Sequence, residues 1–155
     1  MLGSVSLKCA HHSRCPLVIV RDGKQDRARS PFRQILVGVD GSEGSRRALA
    51  WAVAEAAPHG ASVEALEVWR DPYGRDMMLE FNMEHIREDR RALLGQAQGR
   101  LAATMAVVAG RDPGGEVIPL VLQGDTPAWT LCERSADADL LVVGSRGHGG
   151  FIRRT

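Results

Sequence analysis

Residues 34–42, Gln34-Ile35-Leu36-Val37-Gly38-Val39-Asp40-Gly41-Ser42, decide the fold. Ile35 to Val39 form a short continuous apolar run, β-branched in part, as expected of a parallel strand buried on both faces. Asp40-Gly41-Ser42 then reads as a turn. Ser42 is placed to cap the exposed amides of a helix, and Glu43 suits its electropositive first turn. Leu49, Ala52, Val53 and Ala56 recur at helical spacing until Pro58-His59-Gly60 ends the helix.

The same alternation continues towards the carboxyl terminus. Val63 to Trp69 reads as a second strand, and Arg70 to Gly74, containing Asp71-Pro72, as a loop. A long amphipathic helix follows, with Ile86, Leu93, Ala97, Leu101, Met105 and Val108 on one face. Asp112-Pro113-Gly114-Gly115 breaks it. Val117 to Leu122 is a third strand, and Pro119 within it points to a sheet edge. Asp125 or Thr126 caps a short helix in which Leu131 faces inward and Cys132 reads as a small core residue. Asp139 to Val143 is a fourth strand, running directly into Gly144-Ser145-Arg146-Gly147-His148-Gly149-Gly150. Alternating strands and helices imply right-handed crossovers and a parallel sheet covered by helices. Open sheets of this kind bind ligands beyond the carboxyl ends of their strands. The loops 40–42 and 144–150 fall there, and they are the candidate site.

Composition narrows the functional classes. A chain of 155 residues has room for one domain with a single core. Lys plus Arg number 20 against 19 Asp plus Glu, a formal net charge of +1, so no basic excess draws nucleic acid to the surface. Three cysteines, Cys9, Cys15 and Cys132, form no even framework, which fits a reducing cytoplasm. The spacing of Cys9, His11, His12 and Cys15 does not match the paired arrangement of zinc fingers. No apolar run approaches the roughly 20 residues that cross a bilayer.

The two ends of the chain read together. Phe151 to Thr155 is too short for a further helix and strand. Residues 3–12, by contrast, read as a short helix capped by Ser4 or Ser6, and Pro16 opens a strand at Leu17 to Val20. Residues 22–33 are mostly polar, carry Gly and Pro, and read as a linker.

These residues resemble the universal stress protein family. The segment ILVGVDGSEGSRRALAWA is similar to the family's opening strand and first helix. GDTPAWTLCERSADADLLVVGSRGHGGF is similar to its third helix, fourth strand and glycine loop. Nucleotide-binding members carry the pattern G-x2-G-x9-G-[ST], of which Gly144 and Gly147 supply the first half. Counting on, the second glycine falls past Thr155. LGSVSLKCAHHSRCPLVIVR, residues 2–21, resembles the family's final helix and strand, with Gly3-Ser4 as the displaced pair. The organisation expected from this resemblance is residues 1–21 as the displaced final helix and strand, 22–33 as linker and 34–155 as main body. The expected fold is an α/β, Rossmann-like open parallel sheet of five strands, helices on both faces, its last helix and strand supplied by residues 3–20. A circularly permuted domain, a stretch spanning the junction of two tandem domains, and exchange of the segment between subunits each account for the arrangement.

The resemblance also implies a function: a cytoplasmic, ATP-binding regulatory module of stress response, dimeric through the edge strand Leu17–Val20. The glycine loop, Gly144, Ser145, Arg146, Gly147 and His148, would hold phosphates together with the helix start at Gly3 and Ser4. Glycine lets backbone amides approach an anion closely, and a helix N-terminus adds partial positive charge. Asp40 resembles the acidic position near adenine, ribose or Mg²⁺, although an aspartate there equally serves a turn. Gly38, Val39 and Val68 resemble the positions beside adenine, although apolar strand ends are commonly simple core. No general base is evident, so ATP hydrolysis is at most weak. The alternative is a dimeric interaction protein whose split glycine motif no longer binds nucleotide. A pyrophosphate loop of the adenylating enzymes, Ser-Gly-Gly-x-Asp-Ser, is not present in residues 40–45, nor is a Walker or dinucleotide fingerprint.

Overall fold

A computed structural model of the chain describes residues 8, 12, 15–20, 33–73, 83–109 and 116–145. The chain divides into two units, Met1–Pro31 and Phe32–Thr155. The elements of the second unit are β1 (Gln34–Val39), α1 (Glu43–Ala56) with a 3-10 turn Ala57–His59, β2 (Ser62–Trp69), α2 (Met83–Met105), β3 (Val117–Gln123), α3 (Pro127–Arg134) and β4 (Leu140–Val142).

The strands form one parallel sheet of four, in the order β3-β2-β1-β4. Val37 aligns with Ala65 of β2 and with Val142 of β4, and Leu66 of β2 aligns with Leu120 of β3. The run read from Ile35 is therefore central, flanked on both sides, which explains its lack of alternation. Ile35, Leu36 and Val37 are almost wholly buried. Burial of each such side chain contributes roughly 1.5–3 kcal/mol. Pro119 lies in β3, an outer strand, where a missing N–H leaves no ladder partner unsatisfied.

Two layers cover the sheet unequally. On one face, Ile35, Val37, Val39, Val63 and Ala65 pack against Leu49, Ala52, Val53 and Ala56 of α1 and Leu101 of α2. These are the helical positions that spacing selects. Leu93, on the same expected stripe, is only half-buried. The other face carries Leu36 and Leu66, with Leu120, Leu122, Leu131 and Leu141 half-buried around them. Its helix α3 is eight residues long and buries none of them. Cys132 is accordingly exposed, not core: Leu131 takes the position towards the sheet and its neighbour points away.

Four of the five expected strands are described. Among the described residues the sheet has four strands, and residues 16–20 form no ladder. Leu17, Val18, Ile19 and Val20 are 45, 62, 45 and 86% exposed, and this apolar run carries no strand assignment. Lys8 and His12 are helical; the remainder of the expected helix at 3–12, and linker residues 22–32, lie outside the described residues.

Candidate functional site

The strand order fixes where a site can form. From β1 the chain moves outward through β2 to β3, then returns across the sheet to place β4 on the other side of β1. The connection after β1 leads to β2 on one side, whereas β4 on its other side is reached from β3, and a crevice opens between the carboxyl ends of β1 and β4. A cleft of about 190 Å³ lies at this switch point. Gly38, Val39 and Asp40 line it from the end of β1, and Val143 and Gly144 from the end of β4. Leu66 and Val68 of β2 contribute a wall, Pro127 and Leu131 come from α3, and Ser42 and Ser45 from the start of α1.

The turn between β1 and α1 is held by its own side chains. Asp40 Oδ1 accepts the Ser42 amide at 3.0 Å, and Ser42 Oγ accepts the Ser45 amide at 3.1 Å as the helix cap. Ser45 Oγ donates to the Ser42 carbonyl at 2.9 Å. Gly41 between them has φ +80°, a left-handed conformation in which a side chain is strained. Its carbonyl accepts from Arg46 Nη1 at 2.8 Å. Asp40 thus forms the turn, and it also lines the cleft.

The opposite wall depends on a close approach. A Cβ added at Gly144 would lie 2.9 Å from the Gly44 carbonyl carbon, 3.1 Å from its oxygen and 3.2 Å from the Ser45 amide nitrogen. All three are backbone atoms in the first turn of α1. Gly144 therefore brings the exit of β4 against the start of α1, closing the cleft at that corner. At the floor, a Cβ on Gly38 would meet Leu131 at 3.0 Å and Val143 at 3.3 Å, so α3 rests directly on β1 there.

Beyond β2, the loop residues are tied to the start of α2. Arg90 Nη2 is 2.6 Å from Asp71 Oδ2, the Tyr73 amide donates to Asp71 Oδ1 at 3.0 Å, and the Tyr73 hydroxyl donates to Asp89. Burial alone would raise the Asp71 carboxyl, but the Arg90 hydrogen bond, the Tyr73 amide and the Arg90 charge outweigh it and leave its pKa below the ordinary value. The hydrogen bond to Asp89, then burial, then the charges of Asp89 and Asp71 hold the Tyr73 phenol above its ordinary value.

Of the residues that the sequence pointed to, Gly38, Val39, Asp40, Val68 and Gly144 meet at one cleft. Ser145 follows Gly144 and is exposed. Arg146, Gly147, His148, Gly3 and Ser4 lie outside the described residues. Leu66, Pro127, Leu131 and Val143 went unforeseen as lining, and Ser42 was foreseen only as a cap. Their part in the cleft depends on strand order, which no local pattern reveals. Among the described residues no group of three or more His, Cys, Asp or Glu side chains is arranged to hold a metal ion, and no helix is long and apolar enough to cross a membrane.

Comparison with known proteins agrees with this architecture. Residues 31–155 match the profile of the universal stress protein family. The chain belongs to this family. Over 151 residues it is 36% identical to a universal stress protein of Mycobacterium tuberculosis, covering 97% of this chain and 48% of that protein. A universal stress protein of Mycolicibacterium smegmatis gives the same identity and coverage. The chain spans about half the length of these curated relatives, and the match extends well ahead of residue 31. Among solved structures, UspA from Lactobacillus plantarum superposes with a TM-score of 0.63 at 24% identity, covering 81% of this chain and 85% of that one. The hypothetical protein MJ0577 superposes at 0.59 with 21% identity, covering 76% of this chain and 77% of that one. Both share the α/β fold.

Proposed function

We propose that this universal stress protein domain binds ATP and acts as a regulatory module through occupancy of the site. The observation that carries the reading is the cleft between the carboxyl ends of β1 and β4, where Asp40 and Gly144 face the same space. Its lining is mainly apolar with one carboxylate and two hydroxyls, which suits a planar base placed against Val39 and Val68. Its volume of about 190 Å³ suits part of a nucleotide. The phosphates then fall to the glycine loop, Gly144 to His148, in which Gly144 and Gly147 match the first half of the family pattern. A magnesium ion would be held by Asp40 together with the phosphates, because Mg²⁺ commonly takes only one or two protein carboxylates in phosphate sites.

Binding to the folded form stabilises it by an amount that grows with the logarithm of ligand concentration above Kd, which couples nucleotide level to assembly. The test is calorimetric titration with ATP. Saturable micromolar binding, lost in Asp40→Ala and in Gly147→Val, is the expected result; no heat at millimolar nucleotide overturns the proposal.

A second reading, a dimeric interaction protein, is favoured by the exposure of Leu17, Val18, Ile19 and Val20 in a row. A run of consecutive exposed apolar residues is a surface that another chain can cover. The same match ahead of residue 31 supports assigning residues 1–21 to a family helix and strand, as a preceding domain in a chain of the relatives' length would supply. Light scattering decides the dimer: a dimer converted to monomer by Leu17→Lys with Ile19→Lys supports it, and a monomeric wild type overturns it.

A further inference from the structure

One buried charge pair lies on the sheet face opposite the cleft and takes no part in the binding described above. Glu67, in β2, is 2% exposed and stands level with Val39 at the end of β1. Arg100 of α2 reaches it with Nε at 2.8 Å and Nη2 at 2.6 Å from Oε1. To do so the arginine stem crosses the open side of Gly41. A Cβ built on Gly41 would lie 3.3 Å from Arg100 Cδ, 3.4 Å from Cγ and 3.5 Å from Cβ. Arg46 grips the carbonyl of the same residue. The Arg100 side chain thus runs alongside the turn that carries Asp40.

A buried ion pair is weak evidence for stability, because desolvation of the two charges offsets their attraction. Two nitrogens of a planar guanidinium directed at one buried carboxylate oxygen do, however, fix the path of the arginine side chain. That path is what meets Gly41. We infer that Arg100, oriented by Glu67, is a positioning residue that holds the Asp40–Ser42 turn in its ligand-ready shape from the far face of the sheet. The inference rests on the nucleotide reading for its functional consequence, while its mechanical content does not.

The consequence is a separation of stability from binding. Replacing both members, Glu67→Leu with Arg100→Ala, leaves no unpaired buried charge, and Arg100 is 41% exposed, so its truncation opens to solvent instead of leaving a closed void. The melting temperature should stay near the wild-type value. Hydrogen exchange of the Ser42 amide, read without nucleotide, should quicken by about tenfold while that of Val37 in β1 stays unchanged. The ATP dissociation constant should rise by about tenfold. Should the leucine variant not fold, Glu67→Gln with Arg100→Ala asks the same question with a polar group retained. Unchanged exchange at Ser42 overturns the inference, as does equal acceleration at Ser42 and Val37, which would mark general loosening. If the wild type binds no ATP, the nucleotide proposal fails on its own, and the exchange comparison still decides whether Arg100 holds the turn.

Discussion

Replacing Gly144 by alanine tests the cleft at its tightest point. The added carbon would stand 2.9 Å from the Gly44 carbonyl carbon, with the Gly44 oxygen and the Ser45 nitrogen at 3.1 and 3.2 Å. Carbon atoms in contact prefer separations of about 3.5–4.0 Å. The exit of β4 and the first turn of α1 must then part by roughly 0.6–1 Å. Neither side yields easily, because the neighbours are backbone and the helix start is held by the Ser42 cap. Forcing one extra carbon into a packed contact costs about 1–3 kcal/mol. For a chain of this length each kcal/mol lowers the melting temperature by about 2–4 °C, so a cost near 2 kcal/mol gives a fall of about 4–8 °C. Circular dichroism melts measure it, with ATP titration of the same variant expected to show weaker binding. A Gly144→Ala protein that melts within about 1 °C of wild type and binds ATP normally would refute the account.

Other predictions follow from features away from the cleft. Gly95 and Gly99 sit within α2 with open space where a Cβ would stand, so Gly95→Ala and Gly99→Ala should each stabilise by about 0.5–1 kcal/mol, read as a raised melting temperature. A fall in either variant would show that the helix uses its glycines for something other than backbone freedom. The Asp71 pKa is lowered in the folded state, so its contribution is full above the unfolded value of 3.8 and fades as pH falls through the lower folded value. The Tyr73 pKa is raised, so its contribution is full below 10.0 and fades as pH climbs through the higher folded value. Melting curves across pH should therefore show Asp71→Asn losing stability relative to wild type at neutral pH, with the gap narrowing in acid. A gap that stays constant below pH 3.8 would exclude the Arg90 pairing as its source.

How much was legible in the sequence differs between elements. Apolar runs and turn chemistry are local properties, so β1, the Ser42 cap, the buried stripe of α1 and the outer position of β3 could be read directly. Cys132 could not, because an eight-residue helix that buries none of its residues gives no stripe against which to judge one position. Leu17–Val20 supply the side chains of a strand, whereas the ladder that completes one must come from elsewhere.

By itself, then, the sequence determined the elements, their parallel pairing and the two polar loops from which a site is made. Tertiary structure alone decided the order β3-β2-β1-β4, and with it the switch point that sets Asp40 opposite Gly144. It also decided that Arg100, far along the chain from Gly41, lies beneath that turn. The physical reason is range. Periodicity and capping act within a few residues, whereas a cleft and its supports are built by contacts between segments that the chain keeps far apart.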